Sequence, residues 1–245
     1  MTKGISRQDV GDNVPQFELP MVSAAAHELK SPLVLIRQLA QELGDGVQLS
    51  AQEVEKIASR IRLTSERALR LATDITKAER LEDALFELEP INPVSMCEDV
   101  VNELTPLFQA RDRAIQLRRR RRLPAVVANR DLLRRVLTNF ADNALEYGQK
   151  GEPVRLSAQS SRDGKSVRIA VRDFGPSIPT DVWRSIRDAS RYPMAVSRRP
   201  ESSGLGLYLA QQFAGTMNAS VGVTRHRDGA SFYIDLAGSN QLSLL

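Results

Sequence analysis

The sequence predicts an α+β protein in which a helical hairpin precedes a mixed layer of strands and helices. Three observations carry this reading. Apolar residues from Val22 to Leu43, and again from Val54 to Leu85, recur in alternating steps of four and three, which is an a/d heptad seam. From residue 86 onward, short alternating segments that read as strands are interleaved with helix-period stretches. Aromatic residues make up only 5% of the chain, so the core is built from Leu, Ile, Val and Ala, which suits helices and helix-backed sheets.

Residues 1–20 carry Gly4, Gly11, Pro15 and Pro20 without a long periodic pattern, and read as a linker. The first seam then runs through Val22, Ala26, Leu29, Leu33, Ile36, Ala40 and Leu43, and Gly44, Asp45 and Gly46 stop it. Ser50 followed by Glu53 has the form of a capping box. The second seam comprises Val54, Ile57, Ile61, Thr64, Ala68, Leu71, Ile75, Ala78 and Leu85, and is weakened by Glu82 near its end. Two seamed helices on a short loop form an antiparallel hairpin. Such a hairpin buries both stripes by pairing with a second one, so a four-helix bundle in a homodimer is expected.

Beyond the hairpin, Phe86–Ile91 alternates like a short strand, and Pro93 opens a helix with Val94, Cys97, Val100, Val101 and Leu104 on one face. Ala114–Leu123 reads as a strand and Asn129–Tyr147 as a helix. Val154–Ser160 and Ser166–Asp173 are strands across a turn at Arg162-Asp163-Gly164-Lys165. Leu205–Met217 reads as a helix, and Ala219–Thr224 with Ser231–Leu236 as a final hairpin across Asp228-Gly229.

Composition narrows the function classes. The 245 residues are 42% hydrophobic and 26% charged, with a net charge of +4, as in ordinary folded soluble proteins. Much of the excess charge lies in the run Arg118–Arg122. At most three of those arginines share one face of a strand, and no aromatic platform is interleaved with them. They read as a solvated strand and turn, and no nucleic-acid partner is expected. The single cysteine, Cys97, rules out an internal disulfide and fits a reducing compartment. No apolar run approaches the roughly 20 residues that span a bilayer, and no signal peptide is visible. A cytoplasmic location is expected, with a membrane reached only through a segment upstream of this chain.

Four features carry chemistry. His27 flanks the first seam, reaches water and stands beside Glu28, five residues before Pro32. A solvent-reachable imidazole next to a carboxylate is a nucleophile with a base. Pro32 crowds the carbonyl of Glu28 and should bend the helix there. Asn139 and Asn143, four apart, share a helix face and offer amide oxygens to a hydrated Mg²⁺ and to phosphate. Asp173 ends a strand before Gly175-Pro176 and offers a carboxylate to a purine amino group. Ser202–Leu207 is a glycine-containing loop entering a helix, where backbone N–H groups meet phosphate. Taken singly, each reads more readily as ordinary surface, strand end or turn.

In this order and at these spacings, the four resemble the H, N and two glycine boxes of bacterial two-component sensor histidine kinases. The stretches concerned are His27–Leu33 (HELKSPL), Val136–Gly148 (VLTNFADNALEYG), Asp173–Pro179 (DFGPSIP) and Ser203–Ala210 (SGLGLYLA). Phe86–Asn92 (FELEPIN) resembles that family's entry into its catalytic domain. The resemblance implies a dimerisation and histidine-phosphotransfer domain at 21–86 and a catalytic ATP-binding domain of the histidine kinase/Hsp90-like α/β-sandwich type at 87–238, with 239–245 as a tail. It implies that His27 takes the γ-phosphoryl of ATP while Glu28 orients the imidazole and accepts its proton. Asn143 would coordinate Mg²⁺, and Asn139 would order the phosphates. Tyr147 would flank the nucleotide, Asp173 would bond adenine and Gly175 would keep the turn close to the base. Gly204, Leu205 and Gly206 would bring backbone to the phosphates. The phosphoryl group would pass to an aspartate on a response regulator receiver domain. Ser31 stands where the family places a Thr or Asn that supports the reverse, phosphatase reaction.

The chain departs from the family pattern in several places. Ser177 and Ser202 replace glycines, and Asn218-Ala219 replaces a Gly-Gly pair. Glu146 stands where the family often has a phosphate-touching Lys or Arg. Trp183 and Ile186 alone represent the Phe-rich box, and the arginines of Asp188–Glu201 offer substitute phosphate contacts. Two other readings follow. One is a degenerate kinase acting as a dimeric scaffold for a response regulator. The other is a chaperone- or mismatch-repair-type ATPase, which requires a carboxylate at Asn139 and leaves His27 unexplained.

Overall fold

Helix α1 (Glu18–Gly44) and helix α2 (Ala51–Glu79) form the hairpin. The structure is a computed structural model that describes residues 18–44, 49–81, 86–118, 123–149, 151–180, 183–184 and 205–239, with side chains from Ala25 onward. The capping box forms: Ser50 N donates to Glu53 Oε2 at 2.8 Å, and Glu53 N donates to Ser50 Oγ at 3.3 Å. These two bonds satisfy donors that the first turn of α2 would otherwise leave open. α1 already begins at Glu18, inside the stretch read as linker. It also continues as one helix through Pro32, so the expected bend does not interrupt it. α2 ends at Glu79, short of Leu85, which lies outside the described residues.

The hairpin buries only part of its seam. Of the seam, Ile57, Thr64 and Ala68 are buried, together with Ala25, Leu39 and Leu63 beside it, whereas Leu33 is 58% exposed, Val54 41% and Leu43 37%. A single copy therefore leaves three large seam residues in water.

The second unit is a sheet backed by helices. A two-stranded ribbon pairs β1 (Glu89–Ile91) antiparallel with β3 (Val126–Ala128). A five-stranded sheet has the order β2-β4-β5-β7-β6, formed by Ile115–Arg118, Val154–Ser160, Ser166–Arg172, Gly229–Ala237 and Ser220–His226. β2 and β4 are parallel and every other neighbouring pair is antiparallel. Helices α3 (Pro93–Gln109), α4 (Arg130–Tyr147) and α5 (Leu205–Thr216) cover one face. β4, β5 and β7 alternate buried with less buried residues, as one covered face requires. Phe108, Phe140 and Phe213 are fully buried between the layers, and the rings of Phe140 and Phe232 lie 5.9 Å apart. Each such side chain contributes about 1.5–3 kcal/mol through burial.

Helix starts follow the sequence. Asn92 caps α3 by accepting from Val94 N at 2.9 Å, with Pro93 in the first turn, and Asn129 caps α4 by accepting from Leu132 N at 3.1 Å. Three strand expectations need correction. The strand expected over Ala114–Leu123 is confined, among the described residues, to Ile115–Arg118, where it pairs with β4. The strand expected over Phe86–Ile91 shrinks to Glu89–Ile91, because only those residues find a partner in β3. β3 itself was not expected, since three residues are too few to show a period. Among the described residues, no helix is long and apolar enough to cross a membrane.

Candidate functional site

α4 carries the polar wall of the site. Asn139 and Asn143 stand one turn apart, with Asp142 and Glu146 beside them and Tyr147 ending the helix. Opposite them lie α1 and α2. A cavity of about 700 Å³ separates the walls, lined by Asn139, Asn143, Tyr147 and Gly206 on one side and by Glu28 and Ser31 on the other. The structure thus brings together six of the sequence-selected residues. His27 is exposed and does not line this cavity. Gly204 lies outside the described residues, and Leu205 is buried at the start of α5 beneath Gly206.

Asp173 follows β5 directly and is 4% exposed. Its Oδ1 accepts from Gly175 N at 3.0 Å and Ala230 N at 3.2 Å. These bonds fix the turn that holds Gly175 against the end of α4. A Cβ at Gly175 would collide with the Tyr147 carbonyl oxygen. Gly229 serves the same turn from the other side: its φ is +124°, and a Cβ there would run into the Asp173 carbonyl. Gly175 also borders a second cavity of about 570 Å³ lined by Arg155 and Phe174, whose ring centroid lies 4.6 Å from the Arg155 guanidinium carbon and 4.5 Å from that of Arg172.

The departures from the family pattern acquire local explanations. Ser177 Oγ donates to the His226 carbonyl at 2.8 Å and accepts from Arg225 Nε at 3.0 Å, so it ties the turn to β6. Glu146 Oε2 lies 3.4 Å from Arg67 Nη1 and 3.2 Å from Arg111 Nη1, so its charge is met by two guanidiniums. Trp183 is half-buried and packs against the core, while Ile186, Ser202 and the arginines between 188 and 201 lie outside the described residues. The same holds for Arg119 to Arg122.

Charge crosses between α2 and α4 along their length. Burial pulls the Arg67 guanidinium down, but Asp142, Glu146 and Glu28 outweigh it, and the net displacement is upward. Arg135 bonds Asp74 and stands 3.3 Å from Asp131, which Lys77 also bonds. Burial lowers the pKa of Arg135. Beside the asparagines, Asn139 Nδ2, Asp142 Oδ1 and the Nε and Nη2 of Arg70 are buried without a hydrogen-bond partner. Orphaned amide and guanidinium donors beside a hard amide oxygen suit a phosphate and its Mg²⁺, which prefers a few protein oxygens plus phosphate and water. The residues present therefore fit nucleotide and metal. Sequence reasoning missed Arg67, Arg70, Arg111 and Asp142. Arg67 and Arg70 flank the seam residues Ala68 and Leu71, but a heptad does not say which flank meets a second unit.

Residues 128–239 match the family model described as histidine kinase-, DNA gyrase B-, and HSP90-like ATPase. The histidine protein kinase SaeS of Staphylococcus epidermidis is 27% identical over 220 residues, which cover 88% of this chain and 62% of SaeS. The chain thus spans about three-fifths of the length of the curated relatives it matches. Full-length ShkA, solved in complex with AMPPNP, superposes with a TM-score of 0.59 at 24% identity, covering 89% of this chain and 46% of that one. Histidine kinase ThkA, solved in complex with the response regulator protein TrrA, superposes with a TM-score of 0.57 at 16% identity, covering 89% of this chain and 61% of that one. Residues 128–239 thus match this ATPase family model, and over nearly nine-tenths of its length the chain is similar to histidine protein kinases.

Proposed function

We propose that this chain phosphorylates itself on His27 with ATP and passes the phosphoryl group to an aspartate on a response regulator receiver domain. One observation carries the reading: a single cavity has Asn139 and Asn143 on one wall and the neighbours of His27, Glu28 and Ser31, on the other. A lone pair on a ring nitrogen of His27 attacks the γ-phosphorus. The bond from that phosphorus to the bridging oxygen breaks, and ADP leaves with the electron pair. The imidazole N–H proton passes to Glu28. Asn139 orders the phosphates, Asp173 bonds the adenine amino group, and the backbone of Gly204, Leu205 and Gly206 approaches the phosphates at the start of α5. Asn143 would hold Mg²⁺, which supplies charge neutralisation on the phosphate oxygens. His27 faces solvent in the described arrangement, so transfer requires the hairpin to shift against the ATPase layer, or the imidazole to come from a partner copy.

The exposed seam residues Leu33, Leu43 and Val54 support a homodimer, since a second hairpin would cover them. The complex of ThkA with TrrA supports a receiver-domain partner. Ser31, on the cavity wall, is suited to orient a water for the reverse reaction. A scaffold without kinase activity is the second reading, favoured by the carboxylates of Asp142 and Glu146 on the phosphate-facing helix. Titration with ATP and Mg²⁺ separates the two. Saturable binding that weakens about tenfold or more in Asn143→Ala fits the kinase; absence of saturable binding sinks it.

A further inference from the structure

Two guanidiniums that line the cavity, Arg60 and Arg70, stand outside the charge network of the described residues, and of these only Arg70 has buried donors left unmet. Arg67 meets Asp142 and Glu146, Arg111 meets Glu146, and Arg135 meets Asp74 and Asp131. Arg70, between Arg67 and Asp74 on α2, lines the same cavity with Nε and Nη2 buried and without a hydrogen-bond partner. A guanidinium keeps its charge inside a protein, and leaving its donors unmet costs free energy. Its planar fork matches the oxygens of a phosphate. Across the cavity stand Asn139, whose Nδ2 is also unmet, Asn143 and Gly206 in the first turn of α5. The α4 wall itself offers the cavity Asn139, Asp142, Asn143 and Glu146, none of them a cation.

We infer that Arg70 is the phosphate-binding cation of the nucleotide site, contributed by the hairpin rather than by the ATPase layer. This rests on the reading that nucleotide binds along α4. Arg70 contacts the β- or γ-phosphate, so a triphosphate bridges α2 and α4 and a monophosphate does not. Arg70 then supplies the cationic contact that Glu146 cannot make, and nucleotide state is coupled to the docking of the hairpin.

The test uses the intact chain with Arg70→Ala and Arg70→Lys, titrated with ATP and with AMP in Mg²⁺. Arg70→Ala should weaken ATP binding by about tenfold to a hundredfold, as loss of a charged hydrogen bond implies. AMP affinity should stay within about twofold, and Arg70→Lys should recover part of the loss. The nucleotide-free melting temperature of Arg70→Ala should hold or rise, because a buried unmet charge has been removed. Unchanged ATP affinity, or equal loss for ATP and AMP, overturns the inference. So does full restoration of ATP binding by adding Asp142→Asn to Arg70→Ala, which would mean that Arg70 merely neutralises Asp142. If the parent chain binds no ATP, the reading of α4 as the nucleotide site falls as well, and that failure shows in the parent alone.

Discussion

Arg67 Nη1 on α2 stands 3.4 Å from Glu146 Oε2 on α4. Nε of the same guanidinium stands 3.6 Å from Asp142 Oδ2. One side chain of the hairpin thus holds two carboxylates of the ATPase layer, on the helix that carries Asn139 and Asn143. Replacing Glu146 by Lys should repel Arg67 and Arg111 and loosen this docking. The pairs are partly exposed, so each is worth about 0.5–1 kcal/mol and less at high salt. Adding Arg67→Glu to Glu146→Lys should recover part of the loss. Urea unfolding of the parent, both single variants and the double variant checks this; additive effects would show that the pair is not coupled.

Gly175→Ala should disturb the turn that packs against the end of α4. The added methyl meets the Tyr147 carbonyl oxygen, and backbone cannot rotate away as a side chain can. A loss of about 1–3 kcal/mol in stability is expected, with weaker nucleotide binding. Thermal unfolding with and without ATP measures both. An unperturbed melting temperature would mean that the turn has slack.

His226 gives the chain a pH dependence. Burial, then the nearby Arg172 guanidinium, lower its pKa below the ordinary imidazole value of 6.5, against an upward pull from Asp228 and Asp173. Its Nε2 lies 2.9 Å from Ser231 Oγ across the β6–β7 hairpin. Because the folded state resists the proton more than the unfolded state does, stability is highest above pH 6.5. It falls as the pH drops through that value toward the lower, folded-state midpoint. NMR titration of the ring should give a midpoint below 6.5, and His226→Asn should flatten the pH dependence of stability in that window. A midpoint at or above 6.5 would contradict the sign.

Cys97 should be inert in the folded chain. It is fully buried on α3, and burial, aided by Glu98, pushes its thiol up to about 12. A thiol reagent at pH 8 should label it only after denaturation. Fast labelling of the native chain would show that α3 opens locally.

Much of the fold was legible because its signals are local. The Ser50–Glu53 capping box, the Asn129 cap and the period-2 segments at β4, β5 and β7 each lie within a few residues. β3 was not legible, because Val126–Ala128 is a strand only through its pairing with β1. The continuity of α1 through Pro32 was legible from the seam, which runs unbroken across it because helix context overrides a single lost hydrogen bond. At the site, the asparagine pair and the Asp173 turn declared themselves by spacing. The arginines that meet α4 did not, because their partners lie 35 to 79 residues away in the chain. Glu146 shows the same limit: read alone it is a misplaced anion, and read with Arg67 and Arg111 it is half of a contact between the two units.

The most direct test of the central claim is incubation with γ-labelled ATP and Mg²⁺, comparing the parent chain with His27→Ala and following the label through acid and base. Phosphohistidine is lost in acid and survives base. The account predicts acid-labile label in the parent and none in His27→Ala. Label that survives acid, or that persists in His27→Ala, would contradict it.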